Sequence, residues 1–346
     1  MPSNSTEIIG ITMGCPVGIG PEIILKMLGQ EEELSEKYSP LVIGVPEIFK
    51  KCAKEFGSQS EIREWFPGDA INKKVINVCC PPELKKLRDI DAFPLVWGQP
   101  TRETGLLMGA CISYCVQLIQ EGAVAAMVTC PITKAALHEA GYQYPGHTEM
   151  LADLCKTDRF AMMMAGNRLR VTLVTIHESI RRIPELLSQE KIISLIEMTG
   201  NSLKDDFNIL KPTIAVAGLN PHAGEAGIFG NEEQEIIQPA VARARKSGWD
   251  VYGPFPPDTV FNKAVHGMYD AVVCMYHDQG LIPFKLLHFE DGVNVTIGLP
   301  IIRTSVDHGT AYDIAGKGIA SSASLIAAYK MAADIFENKK KRAVAA

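Results

Sequence analysis

Short apolar runs alternate with stretches of helical spacing along the whole of this chain, and few folds accommodate that pattern. EIIGITM (7–13), SPLVIGV (39–45), KVINVCC (74–80), AVAAMVTC (123–130) and YDAVVCMYH (269–277) read as strands. Between them, PEIILKMLG from Pro21, TGLLMGACISYCVQLIQEG (104–122), a segment over 183–205 and NEEQEIIQPAVARARKSG (231–248) carry apolar residues at helical spacing. RFAMMMAG and RLRVTLVTIH predict a hairpin about Gly166 and Asn167. A final helix is predicted over 320–337, and the KKKR tail after it reads as a solvated helix end. Strands and helices in this alternation imply an α/β architecture with mainly parallel sheets and helices on both faces.

A length of 346 residues suits about two domains. No low-complexity linker divides the chain, so the two are expected to intertwine. The net charge of −6 supplies no general field for nucleic acid or an anionic membrane. An apolar fraction of 47% and a charged fraction of 21% exclude a disordered chain or a fibre. The longest apolar runs fall short of the ~18 residues that a membrane span needs. Nothing at the N-terminus resembles an export signal. The nine cysteines form no CxxC pair and read as buried thiols, so a reduced, cytoplasmic protein is expected.

Three apolar runs lead to a histidine: VTLVTIH to His177, AVAGLNPH to His222 and AVVCMYH to His277. Ligands in open α/β sheets bind beyond the carboxyl ends of strands, so three imidazoles delivered there can build one metal site. Zn²⁺, Co²⁺ and Ni²⁺ suit such donors best, with Mn²⁺ and Mg²⁺ also open. Each histidine alone also reads as a hydrogen-bonded structural residue. Asp278 beside His277, and Asp258 in GPFPPDTVF, can orient a ligand or bind the metal. A helix cap for Asp278 and a turn role for Asp258 are the plainer readings.

The loop GCPVGIGPE (14–22) lacks the third glycine of a dinucleotide fingerprint and the lysine of a Walker loop, and signals at most a ligand-lined turn. Lys285, Asn294 and Arg303 offer a point charge, an amide and a guanidinium fork that can clamp a phosphate or carboxylate if the fold brings them together. His147 and Thr148 stand at a predicted helix start, where free N–H groups favour an anion.

Taken together, ITMGCPVGIGPEI, TCPITKAALHEAGYQYPGHTE, GLNPHAGEAGIFGNEE, YGPFPPDTVF, MYHDQG and GVNVTIGLPIIRTSVDHGTAYDIAGKG resemble the 4-hydroxythreonine-4-phosphate dehydrogenase (PdxA) family over nearly the whole chain. The last segment also looks like the adenine loop of isopropylmalate dehydrogenases. The resemblance implies the two-domain isocitrate/isopropylmalate dehydrogenase-like α/β/α fold, with NAD as cofactor and one divalent metal ion per site. It implies a nucleotide-side domain of 1–130 plus about 290–346, and a central domain of about 131–289 with the metal ligands and the dimer interface. His177, His222 and His277 match the metal ligands. His147, Thr148, Lys285, Asn294 and Arg303 match the substrate contacts, and Asp258 and Asp278 match supporting acids. Analogy with the isopropylmalate enzymes sets His308, Gly309 and Asp313 near the adenosine. A homodimer with shared active sites is implied as well.

Oxidation at C3 of a phosphorylated 3-hydroxy acid, followed by decarboxylation, is the implied reaction, with Lys134 as the candidate for proton transfer or carboxylate binding. Cys15 stands where the family usually has Asp or Glu. KLLHFEDGVN and DVYGPFPPDTVF look closer to the 4-phospho-D-threonate/4-phospho-D-erythronate branch than to the vitamin B6 branch. The alternatives are a dehydrogenase of a non-phosphorylated cis-diol carboxylate and a phosphate acyltransferase-like enzyme of the same fold.

Overall fold

The computed structural model describes residues 7–29, 37–87 and 95–345. In chain order its strands are β1 (Glu7–Thr12), β2 (Tyr38–Ile43), β3 (Ile62–Glu64), β4 (Ile76–Cys79), β5 (Ala126–Thr129), β6 (Ala161–Ala165), β7 (Arg170–Leu173), β8 (Thr213–Ala217), β9 (Asp250–Phe255), β10 (Ala271–Cys274), β11 (Val293–Ile297) and β12 (Arg303–Val306). The chain divides into two compact units. One comprises 1–158 and 299–336, the other 159–298 and 337–346.

In the first unit the strands lie in the order β3-β4-β2-β1-β5-β12, all parallel. Parallel neighbours need crossover connections, and the helices Gly20–Gly29, Pro46–Glu55 and Arg102–Gln120 provide them. Ile9, Ile11, Leu41, Ile43, Met127 and Val128 are fully buried, as strands covered on both faces must be. Thr101 and Thr104 cap the helix Arg102–Gln120 reciprocally, which explains its start two residues ahead of the predicted segment.

The second unit carries the order β11-β6-β7-β10-β8-β9. The predicted hairpin is β6 and β7, antiparallel to one another, and β11 is antiparallel to β6. The remaining pairs, β7 with β10, β10 with β8 and β8 with β9, are parallel. Leu169, Val171, Leu173, Ala215, Val272, Cys274 and Phe284 form the centre of its core.

Two boundaries differ from expectation. The first unit runs to Asp158 rather than to about 130, because the helix Lys134–Glu139 packs on Arg102–Gln120. The last helix runs Ala323–Ala345, well past 337. Its basic end is held, since Lys339 pairs with Asp206 at 3.0 Å, Arg342 with Asp205 at 2.9 Å, and Asn338 donates to the Asp206 carbonyl. The cations of the tail therefore extend the helix against acidic residues at the end of Gln189–Asp205.

Candidate active site

The three histidines lie beyond the carboxyl ends of three adjacent parallel strands. β10 is in the middle, with β7 on one side and β8 on the other. His277 follows β10 and opens the helix His277–Leu287. His177 follows β7, and its ring centroid is 5.9 Å from that of His277. His222 follows β8 in a turn where residues 222–226 all have positive φ. Left-handed backbone costs roughly 1–2 kcal/mol for each non-glycine residue, so this turn must be held by its surroundings.

The Nδ1 atom of His277 lies 2.7 Å from Asp278 Oδ1. Asp278 is therefore no helix cap, since that position belongs to Tyr276. With Nδ1 engaged, Nε2 is the ring nitrogen left to face a ligand. Asp258 lies exposed in the first turn of the helix Pro257–Val265, which packs beside the His222 turn. Among the described residues, no three His, Cys, Asp or Glu side chains of one chain close into a metal-holding group.

Lys285 and Asn294 belong to the same unit, on the helix His277–Leu287 and on β11. Asn294 donates from Nδ2 to the Met162 sulfur at 3.4 Å, and its Oδ1 is buried without a partner.

Arg303, His147, Thr148 and Lys134 belong to the first unit. Arg303 opens β12 and is only 3% exposed. Its Nε and Nη2 both donate to Thr129 Oγ1, at 3.1 and 2.8 Å. Burial pulls the guanidinium pKa down, to about 9, and Glu149 opposes that shift. A cation so disfavoured gains from an anionic ligand. His147 and Thr148 begin the helix His147–Leu154, whose cap residue Gly146 offers no side chain. The His147 ring nitrogen Nε2 is buried without a hydrogen-bond partner. Burial first, and Arg303 second, hold the imidazole well below its usual pKa, so it is neutral near pH 7. Lys134 is exposed at the start of Lys134–Glu139 and flanks Gly146 together with Glu149.

His308, Gly309 and Asp313 lie on the loop after β12, all three exposed. The glycine-rich loop packs against that loop. Ile19 N–H donates to the Thr310 carbonyl at 3.1 Å, and Glu22, fully buried, accepts from Ala320 N–H at 2.7 Å. Gly14 has φ +67, and a Cβ there would stand 2.5 Å from the Pro131 carbonyl oxygen. Cys15 is buried, its sulfur 3.4 Å from the Tyr312 hydroxyl. None of the nine cysteines is in a disulfide.

Thr129, Glu149, Glu233 and Gln279 were not singled out by the sequence. Thr129 offered a signal, as a polar residue closing the apolar run AMVT, whereas Glu149, Glu233 and Gln279 stand among other polar residues in HTEM, NEEQEII and MYHDQG and offered none.

Among known proteins, the model of the family described as "Pyridoxal phosphate biosynthetic protein PdxA" matches residues 36–332. A 4-hydroxythreonine-4-phosphate dehydrogenase of Desulfosudis oleivorans is 54% identical over 96% of both chains. A D-threonate 4-phosphate dehydrogenase of Salmonella typhimurium is 44% identical over 94% of this chain and 98% of that one. The crystal structure of a 4-hydroxythreonine-4-phosphate dehydrogenase from Klebsiella pneumoniae superposes with a TM-score of 0.86 at 43% identity, covering 96% of this chain and 98% of that one. Adjacent parallel strands that each lead to a histidine, on a chain matched nearly end to end by these dehydrogenases, make this protein a member of the PdxA family.

Proposed function

We propose that this dehydrogenase oxidises and decarboxylates a phosphorylated 3-hydroxy acid, with NAD and one divalent cation as cofactors. The observation that carries the reading is the set of three histidines beyond adjacent strand ends, with Nδ1 of His277 turned to Asp278. An all-nitrogen donor set of this kind fits Zn²⁺, Co²⁺ or Ni²⁺ better than Mg²⁺ or Mn²⁺. Bound, the cation supplies Lewis acidity toward the substrate's C3 hydroxyl, and the nicotinamide supplies an electron-pair acceptor.

The chain's own residues bind and orient. Arg303 holds the phosphate or carboxylate of the substrate, aided by neutral His147, by Thr148 and by the N–H groups that open their helix. The unpartnered Nε2 of His147 and Oδ1 of Asn294 are polar atoms that a substrate satisfies. Lys285 is a further cation assigned to substrate binding, as the resemblance implies. Remote binding of this kind positions C3 and raises the rate through orientation. Oxidation leaves a β-keto acid, and loss of CO₂ then requires a proton at C2. Lys134 is assigned to hold and move that proton. Asp278 orients His277, and Asp258 supports the His222 turn. His308, Gly309 and Asp313 bind the adenosine end of NAD.

The working unit is a homodimer with shared sites. Ile282, Leu286 and Phe289 recur along and just past the helix His277–Leu287, and the last two are 83% and 80% exposed. An apolar row of this size beside a ligand histidine suits burial against a second copy. No described helix is long and apolar enough to cross a membrane. Unpaired cysteines throughout suit the reducing cytoplasm.

The test is reduction of NAD with added divalent metal and a panel of substrates: 4-hydroxythreonine 4-phosphate, 4-phospho-D-threonate, 4-phospho-D-erythronate and their non-phosphorylated counterparts. Metal-dependent NADH formation with a phosphorylated member is expected, and its rank order names the substrate. Turnover confined to non-phosphorylated diols, or acyl transfer insensitive to chelators, overturns the reading.

A further inference from the structure

The three histidine-bearing segments are joined by contacts that do not belong to the sheet. The β10–β8 ladder stops at the pairing of Val273 with Val216. Past that point Gln279, 7% exposed, spans the gap. Its Oε1 accepts from Met275 N–H at 2.7 Å, and its Nε2 donates to the Gly218 carbonyl at 2.6 Å. A side-chain amide here does what a further rung of peptide would do. On the other side of β10, Thr175 donates from both N–H (3.2 Å) and Oγ1 (2.7 Å) to the Met275 carbonyl. Met275 is thus bound on both its polar backbone atoms, two residues before His277, and Thr175 likewise stands two residues before His177.

Gly218 leads directly into the His222 turn, and a second buried side chain holds the next two residues. Glu233, 3% exposed, accepts from Leu219 N–H and Asn220 N–H at 2.7 Å each through Oε1, and from Asn220 Nδ2 at 3.0 Å through Oε2. Gly224, at φ +80, has room for no Cβ, which would stand 2.6 Å from Glu233 Oε2. Glu233 itself opens a π-helical turn, Glu233–Ile237, a local irregularity that aims its carboxylate inward. The carboxylate thus holds the entry to the run of positive φ, at Leu219 and Asn220, and lies against Gly224 within it.

We propose that Gln279 and Glu233 are positioning residues. Together they clamp residues 218–220 to the end of the sheet, and so set where the turn that carries His222 begins. Neither touches the substrate or the metal. Their role rests on the metal-ligand reading of the histidines, and is separable from it. An amide is required at 279 because the position needs one acceptor and one donor. A carboxylate at 279 would keep the Met275 contact but set an oxygen, an acceptor, against the Gly218 carbonyl. At 233 one oxygen accepts both backbone N–H groups, so an amide there can still hold them and loses only the contact with Asn220 Nδ2.

The test measures the dissociation constant for Co²⁺ alone, by competition with a chromophoric chelator, in the otherwise intact protein. Its companions are the visible spectrum of the Co²⁺ form and the melting temperature of the metal-free form. Gln279→Glu and Glu233→Ala are each expected to weaken Co²⁺ binding about tenfold to a hundredfold, in the range typical of groups that orient metal ligands. Both should alter the Co²⁺ spectrum, and Glu233→Gln should restore most of the affinity. If Gln279→Glu or Glu233→Ala does not fold, Gln279→Met and Glu233→Asp take their places with the same expectation. Folded variants at both positions that bind Co²⁺ within twofold of the parent, with an unchanged spectrum, overturn the clamp. His222→Ala separates the two ideas. Parent-like affinity in that variant sinks the metal reading, whereas loss there with parent-like Gln279 and Glu233 variants sinks the clamp alone.

Discussion

Asp278 engages Nδ1 of His277 at 2.7 Å, and the two residues are neighbours in the chain at the first turn of a helix. The contact decides which ring nitrogen a ligand meets. It also makes the ring a stronger electron-pair donor at Nε2. Asp278→Ala is expected to weaken divalent-metal binding about tenfold to a hundredfold, with Asp278→Asn in between, because an amide oxygen can still accept from Nδ1–H. Calorimetric titration with Zn²⁺ checks this, and equal affinities in all three proteins would contradict it.

Arg303 is a buried fork whose two donors meet one threonine hydroxyl. Arg303→Lys keeps a cation but loses the fork, so it is not a conservative change. Both Arg303→Lys and Arg303→Ala should lower kcat/KM for phosphorylated substrates by about 10- to 100-fold, as loss of a charged hydrogen bond does. The main change should be in KM. Steady-state kinetics with a phosphorylated and a non-phosphorylated substrate reads the difference.

His147 links the site to stability through pH. Burial and Arg303 hold its folded-state pKa well below the ordinary 6.5. The unfolded chain therefore takes up a proton below about pH 6.5 that the folded chain refuses, and stability falls as the pH drops through that range. Above it, the residue contributes no pH dependence. Melting temperatures between about pH 8 and 5 should fall less steeply for His147→Gln, which has no such proton to refuse. Parallel curves for the two proteins would count against a neutral His147.

A shared site has a signature in mixed dimers. His222→Ala and His277→Ala chains should each be inactive as homodimers. If those ligands come from different subunits, refolding the two together yields dimers with one intact site, and activity returns to a fraction of the parent's. If each site lies within one chain, every site in the mixture lacks a ligand and no activity returns. Leu286→Glu, on the exposed apolar row, should shift the protein toward monomer in sedimentation or light scattering.

Much of this arrangement was readable in the residues. The strands leading to His177, His222 and His277 were marked by continuous apolar runs, because a parallel strand covered on both faces can carry little else. The helix at 102–120 was marked by its period, while its capping by Thr101 and Thr104, which sets its start, was not read. The backbone neighbours of the glycine-rich loop, Pro131 and Thr310, were not readable, because they come from segments remote in the chain. The basic tail is the exposed helix end that the sequence suggested, but its ion-pair partners were not readable. Asp205 and Asp206, which hold it, stand more than a hundred residues earlier in the chain.

Local chemistry written along the chain was enough to determine the α/β class, the strand ends and the residue types able to bind metal and anion, since period, capping and side-chain identity are properties of short segments. Strand order was not. Placing β10 between β7 and β8 is what makes neighbours of the strands that lead to three distant histidines. The pairing of Gln279 with Gly218, of Glu233 with Leu219 and Asn220, and of Arg303 with Thr129 likewise depends on contacts between residues remote in sequence. Such contacts form only when buried polar groups must find partners inside a packed core, and that demand acts on the folded chain as a whole.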